Sequence, residues 1–184
     1  MNSPLGAETF DSRPQVSVQK LLKKISQIKS GLSGQEEVDN QKYSQFALSY
    51  LNVSEISKKS LKKYWEKLSD TERERFQVLL SELFVHVAFP SSAKFFAELD
   101  LVYGKTKEKK TIVVVPVTVI HDKEGEVGID FHLNRTGNKW QVVDVILDGV
   151  SMRNNLRSQF YKVIKKTNFK ELLRKMEKKL IASH

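Results

Sequence analysis

Residues Trp140 to Phe160 read WQVVDVILDGVSMRNNLRSQF, and this stretch decides the fold. Trp140 to Leu147 is dense in Val, Ile and an aromatic, the composition of a buried or half-buried strand. Asp148-Gly149 stops it with a tight turn, because glycine accepts backbone angles that other residues avoid. Ser151 offers an oxygen to the free N–H groups of a new helix. Met152, Leu156, Phe160 and Val163/Ile164 then recur at helical spacing. A strand, a turn and a capped amphipathic helix in direct succession must pack sheet against helix.

Upstream, a hairpin extends the sheet. Val113, Val115, Val117 and Val119 alternate along one strand, and Val127, Ile129, Phe131 and Leu133 along the next. The link Asp122-Lys123-Glu124-Gly125 suits a type I turn with Gly125 as a left-handed bulge. That turn pairs Val119 with Ile129 and Val117 with Phe131, which puts both apolar sets on one face. By the same alternation Val143, Val145 and Leu147 join that face. Ile112, Val114, Ile120, Asp130, His132, Trp140 and Asp144 fall on the other. Pro116 cannot donate to a ladder and predicts a bulge or a sheet edge.

The remainder is helical. Val18, Leu21, Leu22, Ile25 and Ile28 mark a first amphipathic helix, broken over Gly31 to Gln35. Tyr43, Phe46, Ala47, Tyr50 and Leu51 mark a second. Ile56, Leu61, Tyr64, Trp65 and Leu68 mark a third. Ser69-Asp70-Thr71-Glu72 is a capping box. It opens a helix with Phe76, Leu79, Leu80, Leu83, Phe84 and Val87 on one face, which Pro90 is expected to interrupt. The fold class is therefore α+β: a twisted antiparallel sheet of about four strands backed by several amphipathic helices. Residues 1–15 form a flexible N-terminal arm. Residues 16–184 form one domain, with helices over 16–100, the sheet over about 97–148 and C-terminal helices over 151–182.

Composition excludes several function classes. With no cysteine there is no disulfide, thiolate nucleophile or cysteine zinc site. No stretch approaches the roughly 20 apolar residues of a membrane helix. The opening MNSPLGAETFDSRPQ has neither a basic n-region nor an apolar h-region, so no signal peptide is expected within it. The net charge of +9, from 31 Lys+Arg against 22 Asp+Glu, is mostly lysine spread over every helix. That pattern suits solvation, an anionic lipid surface or an acidic partner better than base readout by arginine, and nucleic acid is not expected. Asn52-Val53-Ser54 and Asn134-Arg135-Thr136 match the glycosylation sequon.

The segment GNKWQVVDVILDGVSM, followed by NNLRSQF and a last amphipathic helix, resembles the MlaC/toluene-tolerance family. LKKYWEKLSDTERERFQVLLSELF and KTIVVVPVTVI resemble that family's helical pattern and central strand, so the likeness runs from about Val53 to Leu180. One departure is Val143, where the family usually has an aromatic just before the Asp. The resemblance implies a soluble periplasmic phospholipid carrier, whose leader lies outside this chain. It would serve an MCE-type ABC lipid transport system and help maintain outer-membrane lipid asymmetry. Its partners would be an outer-membrane lipoprotein–porin complex and an inner-membrane MCE-ABC transporter complex, with transient membrane-surface contact. It implies no cofactor, only phospholipid as cargo.

Taken alone, the apolar sheet face is either ordinary core or the wall of a cavity. The resemblance favours an enclosed apolar lipid cavity. Its expected lining is Leu83, Phe84, Val87, Val113, Val115, Val117, Val119, Ile129, Phe131, Val143, Val145, Leu147 and Phe160. Trp140, Asp144, Gly149, Ser151 and Arg157 form the structural motif, with Asp144 accepting hydrogen bonds near the turn, from Arg157 among others. Three alternatives stand beside the carrier. One is a hopanoid or isoprenoid lipid-binding protein, and another is an adaptor with a solid core. The third is a small enzyme of ketosteroid-isomerase-like shape using Asp130, His132 and Asp144, which share a sheet face but come with no nucleophile or general-base motif. No metal site is expected. His121 and His132 lie about 15–20 Å apart on opposite faces, and His86 sits beside the apolar stripe of its helix.

Overall fold

The computed structural model describes residues 13–29, 34–96, 99–121 and 125–183. The expected N-terminal arm over 1–12, most of the Gly31–Gln35 break and the Asp122–Glu124 turn lie outside them. Five helices come first: α1 (Pro14–Ser26), α2 (Gln35–Leu48), α3 (Val53–Leu61), α4 (Asp70–Leu83) and α5 (Phe89–Phe96). Six strands follow: β1 (Asp100–Tyr103), β2 (Lys107–Lys109), β3 (Ile112–His121), β4 (Gly125–Thr136), β5 (Lys139–Leu147) and β6 (Val150–Ser151). Two helices close the chain, α6 (Met152–Lys166) and α7 (Phe169–Ile181). The α+β class holds, with six antiparallel strands in place of about four. They run β1-β3-β4-β5-β6, with β2 also paired to β3.

Local chemistry explains most boundaries. Pro14 opens α1 at its first turn, where a missing N–H costs nothing, so the helix starts at the end of the expected arm. Asn52, Ser69, Ser151 and Asn168 cap α3, α4, α6 and α7, each accepting from a backbone N–H three residues on. The capping box at Ser69 and Glu72 is complete. The third expected helix is two pieces: α3 ends at Leu61, Lys62 adopts φ +43°, and a 3-10 turn carries Lys62 to Lys67.

Pro90 does not interrupt its helix. Asp70 to Phe96 run as one helix of 27 residues. A π turn over Phe84–Ala88 widens it, and the Phe89 N–H reaches back five residues to Phe84 O. The extra residue makes room for a ring that would otherwise press on the carbonyl four residues earlier. Contrary to the composition reading, this helix is long and apolar enough to cross a membrane by length and composition. It buries Phe76, Leu79, Leu80, Val85, Phe89 and Ala93 within the protein, and most of its other residues are partly or fully exposed.

The hairpin register differs from the expected one by two residues. Val119 pairs with Val127, Val117 with Ile129, Val115 with Phe131 and Val113 with Leu133. An even shift keeps every side chain on its expected face, so alternation alone could not expose it. Pro116 turns its carbonyl toward Gly104 N, 2.8 Å away, between the end of β1 and the start of β2. Its missing N–H thus falls where that edge of the ladder is broken.

A bulge reshapes β5. His132 pairs with Asp144, but Leu133 pairs with Val142, leaving Val143 as the extra residue. Two expectations change. Val142, not Val143, faces Leu133 in the buried cluster, and Trp140 packs on that same core rather than joining the outer face. The free edge of β5 at this point is covered by the α2–α3 connection. Val142 N donates to Tyr50 O at 2.8 Å and Asn52 N donates to Val142 O at 2.9 Å. The Asn52 amide also donates to Asn134 Oδ1 and Thr136 Oγ1, so the two sequon asparagines serve this junction.

The core lies between the sheet and α1, α3 and α6, with α5 packed on α1. Val115, Val117, Val119, Ile129, Phe131, Leu133 and Val142 meet the α1 stripe of Val18, Leu21, Leu22 and Ile25 there. Phe76 of α4 is fully buried, edge-on to Phe160 of α6 at 5.3 Å between ring centres.

Candidate functional site

The stretch from Leu147 to Arg157 builds a rigid corner. Asp148 (φ +48°) and Gly149 (φ +78°) are both left-handed, and Leu147 pairs with Val150, which is a two-residue type I′ hairpin turn. Ser151 ends β6 and caps α6, accepting from Asn154 N at 3.0 Å. Its hydroxyl donates to Asp144 Oδ2 at 2.6 Å. Asp144 Oδ1 accepts from Arg153 N at 3.0 Å and from Val145 N at 2.9 Å. The Arg153 guanidinium lies 3.5 Å from Asp144 Oδ2. Asp144 is only 5% exposed, so this set of donors is what allows a carboxylate to sit there.

Arg153, not Arg157, is therefore the arginine at Asp144. Arg157 is one turn too far along α6. It donates twice to Lys59 O, at 3.1 and 2.9 Å, while Tyr161 Oη donates to Leu61 O at 3.0 Å. These bonds fall on carbonyls at the α3 C-terminus, where the α-helical ladder ends, and they lock α3 to α6.

The outer face brings His132 opposite Asp144 and two positions from Asp130, as the alternation implies. The Asp144 oxygens, however, are already occupied by Ser151, Arg153 and backbone N–H groups, which leaves little capacity to exchange a proton with a substrate. Burial holds the His132 imidazole below its ordinary value. Asp144 and Asp130 pull upward without overcoming it, and Lys109 and Arg153 push further down. The unfolded chain then binds more protons than the folded one just below about pH 6.5, so stability rises with pH there and is lost on acidification. His132→Gln should lose less thermal stability than the parent between about pH 7.5 and about pH 5, in melting scans at matched ionic strength. Equal losses would remove His132 as a source of acid sensitivity.

Two apolar cavities lie on the helical side. The larger, about 240 Å³, sits among α4, the π turn, α6 and α7. Its walls are Leu80, Leu83, Phe84, Val87, Ala88, Leu156, Phe160, Val163, Leu172 and Met176, with Gln159, Lys175 and Lys179 as the polar members. The smaller, about 70 Å³, lies between β5 and the start of α6. It is bordered by Leu51, Ile56, Val142, Val143, Asp144, Val145, Met152 and Arg153, with Phe84 and Leu156. Phe84 and Leu156 thus line both cavities.

This redistributes the expected lining. Leu83, Phe84, Val87 and Phe160 border the larger cavity, and Val143, Val145 and Phe84 the smaller. Val113, Val115, Val117, Val119, Ile129 and Phe131 are buried and border neither, and Leu147 is half-buried against the core. Most of the sheet face is packed by helices; the larger open space lies one layer further out, between helices, and only the smaller one touches β5. Leu156, Val163, Leu172 and Met176 join the site at helical spacing, a stripe visible in the sequence that says nothing of which neighbour it faces. Among the described residues no group of three His, Cys, Asp or Glu side chains is placed to hold a metal ion.

A family model described as MlaC protein matches residues 15–178. The chain belongs to the MlaC family. The cavities thus sit in a MlaC protein, and all their lining residues except Lys179 fall within the matched span. The phospholipid-binding protein of Ralstonia solanacearum, solved in complex with a phospholipid at 1.53 Å, is similar in fold. The match has a TM-score of 0.72 at 18% identity, over 96% of this chain and 99% of that one. No curated protein matches this MlaC chain.

Proposed function

We propose that this MlaC-family chain is a phospholipid carrier that holds acyl chains between α4, α6 and α7. It is a binding protein rather than an enzyme. The observation that carries this reading is the larger cavity, ten of whose thirteen lining residues are apolar. Hiding an acyl chain from water gains about 0.8 kcal/mol per methylene, so a two-chain lipid does not cross an aqueous space unaided. Moving chains from bilayer to apolar pocket keeps them out of water at both ends, and the exchange needs no catalytic group.

The cavities of about 240 and about 70 Å³ are small beside the ~300–1,000 Å³ of drug-sized ligand pockets. Loading two chains therefore requires opening, and Phe84 and Leu156, the shared wall, are where the cavities would merge. The π turn beside Phe84 supports this, since such widened turns gather at functional positions. In this reading residues 16–184 act as one lipid-binding domain in the periplasm. It exchanges lipid with an outer-membrane lipoprotein–porin complex and an inner-membrane MCE-ABC transporter complex, and so maintains outer-membrane lipid asymmetry.

Organic extraction of gently purified protein, followed by mass spectrometry, should yield glycerophospholipid at near one molecule per chain. A dry extract, together with no uptake of a fluorescent phospholipid, would overturn the carrier. A hopanoid or other isoprenoid lipid in the extract would replace the cargo.

A further inference from the structure

We propose that Lys175 and Lys179 form a phosphate-binding pair at the mouth of the larger cavity and select phospholipids with net negative head groups. This rests on the carrier reading and adds head-group specificity to it. The two lysines stand four residues apart on α7, hence on one face, with Cβ atoms about 6 Å apart. Both line the cavity yet are exposed, so each stem covers apolar wall while its ammonium reaches water. An amphiphile with its chain in the cavity has its phosphate at that rim.

The local charge is only partly compensated. No carboxylate lines this cavity. The acidic residues of α7 hold other cations more closely: Glu171 takes two bonds of 2.7 Å from Arg174 and feels Lys175 only through space, and Glu177 holds Arg75 at 2.6 Å. Neither Lys175 nor Lys179 has an ion-pair partner among the described residues. Gln159 completes the polar rim from α6. One hydrogen of its amide donates to Asn155 Oδ1 at 3.3 Å, and the other is available to a phosphate oxygen. Complementing the helix dipole does not account for the arrangement. Lys178 in the last turn of α7 serves the dipole equally well and does not line the cavity. Two cations favour a phosphate in any phospholipid, but they disfavour the extra ammonium of a zwitterionic head group.

The test offers the protein equimolar vesicles of dioleoyl phosphatidylglycerol and dioleoyl phosphatidylcholine, and reads the bound ratio by mass spectrometry. Compared with the parent are the double variant Lys175→Gln/Lys179→Gln and the charge-matched control Lys170→Gln/Lys178→Gln. The parent and the control should enrich phosphatidylglycerol about tenfold at low salt, the scale of a single charge-assisted hydrogen bond. The pocket double variant should carry both lipids at near equal amounts, its loss falling mainly on phosphatidylglycerol. Inorganic phosphate should displace no more lipid than sodium chloride of the same ionic strength. An unbiased parent, or enrichment that survives in the double variant, overturns the head-group pair and leaves the carrier standing. Selective displacement by inorganic phosphate overturns it in favour of a free-phosphate site. A parent that takes up neither lipid overturns the carrier and this inference together.

Discussion

Asp144→Ala should lower the stability of the folded chain by about 3–5 kcal/mol, the usual loss when one partner of a buried ion pair is removed. The carboxylate gathers Ser151 Oγ, the Arg153 and Val145 N–H groups and the Arg153 guanidinium, at the corner where β5, β6 and α6 meet. Without it the Ser151 hydroxyl loses its acceptor, and Arg153, whose Nε already has no partner, is left as a half-buried charge. Asp144→Asn keeps the shape and one acceptor oxygen, and should cost roughly half as much. The surviving folded protein should bind lipid as the parent does. Denaturant unfolding with an unchanged m-value is the measurement. A loss below about 1 kcal/mol for Asp144→Ala would show that the corner holds without its carboxylate. A fully stable Asp144→Asn that lost a lipid hydrolysis or isomerisation activity would reinstate the enzyme.

The second large effect separates the two apolar surfaces. Val117→Asp should prevent folding. Val117 is 1% exposed within the sheet core, and an unpaired charge there costs several kcal/mol or more, comparable with the ~5–15 kcal/mol that holds a domain together. Leu83→Asp should fold, because Leu83 is half-buried at the rim of the helical cavity, where its carboxylate can reach water. It should nevertheless retain about tenfold less lipid, since the charge sits where an acyl chain must lie. Circular dichroism establishes folding and extraction establishes cargo. A folded Val117→Asp that had lost its lipid, beside a fully loaded Leu83→Asp, would return the site to the sheet face.

Much of this was legible in residue order. Strand alternation assigned Val115, Val117, Val119, Ile129 and Phe131 to one buried face, because a period of two leaves no other arrangement that removes them from water. The capping box at Ser69, the Ser151 cap and the Asp148-Gly149 turn follow from local hydrogen bonding and backbone freedom, which neighbours in sequence settle. Family membership was carried by the same corner.

Tertiary structure decided what depends on distant partners. The two-residue shift of the hairpin leaves the alternation unchanged, so only the paired strands distinguish it. The bulge at Val143 moves Trp140 to the core face because the α2–α3 connection docks on Val142, a contact between residues about ninety positions apart. Arg153 and Arg157 stand one turn apart on α6. Which of them meets Asp144 is fixed by where α3 presents the Lys59 carbonyl that Arg157 takes. The placement of the cavity is the least local quantity of all. Periodicity states which residues leave water, but the space left between α4, α6 and α7 is the small remainder after close-packed helices have filled the rest, and only their assembled positions set it.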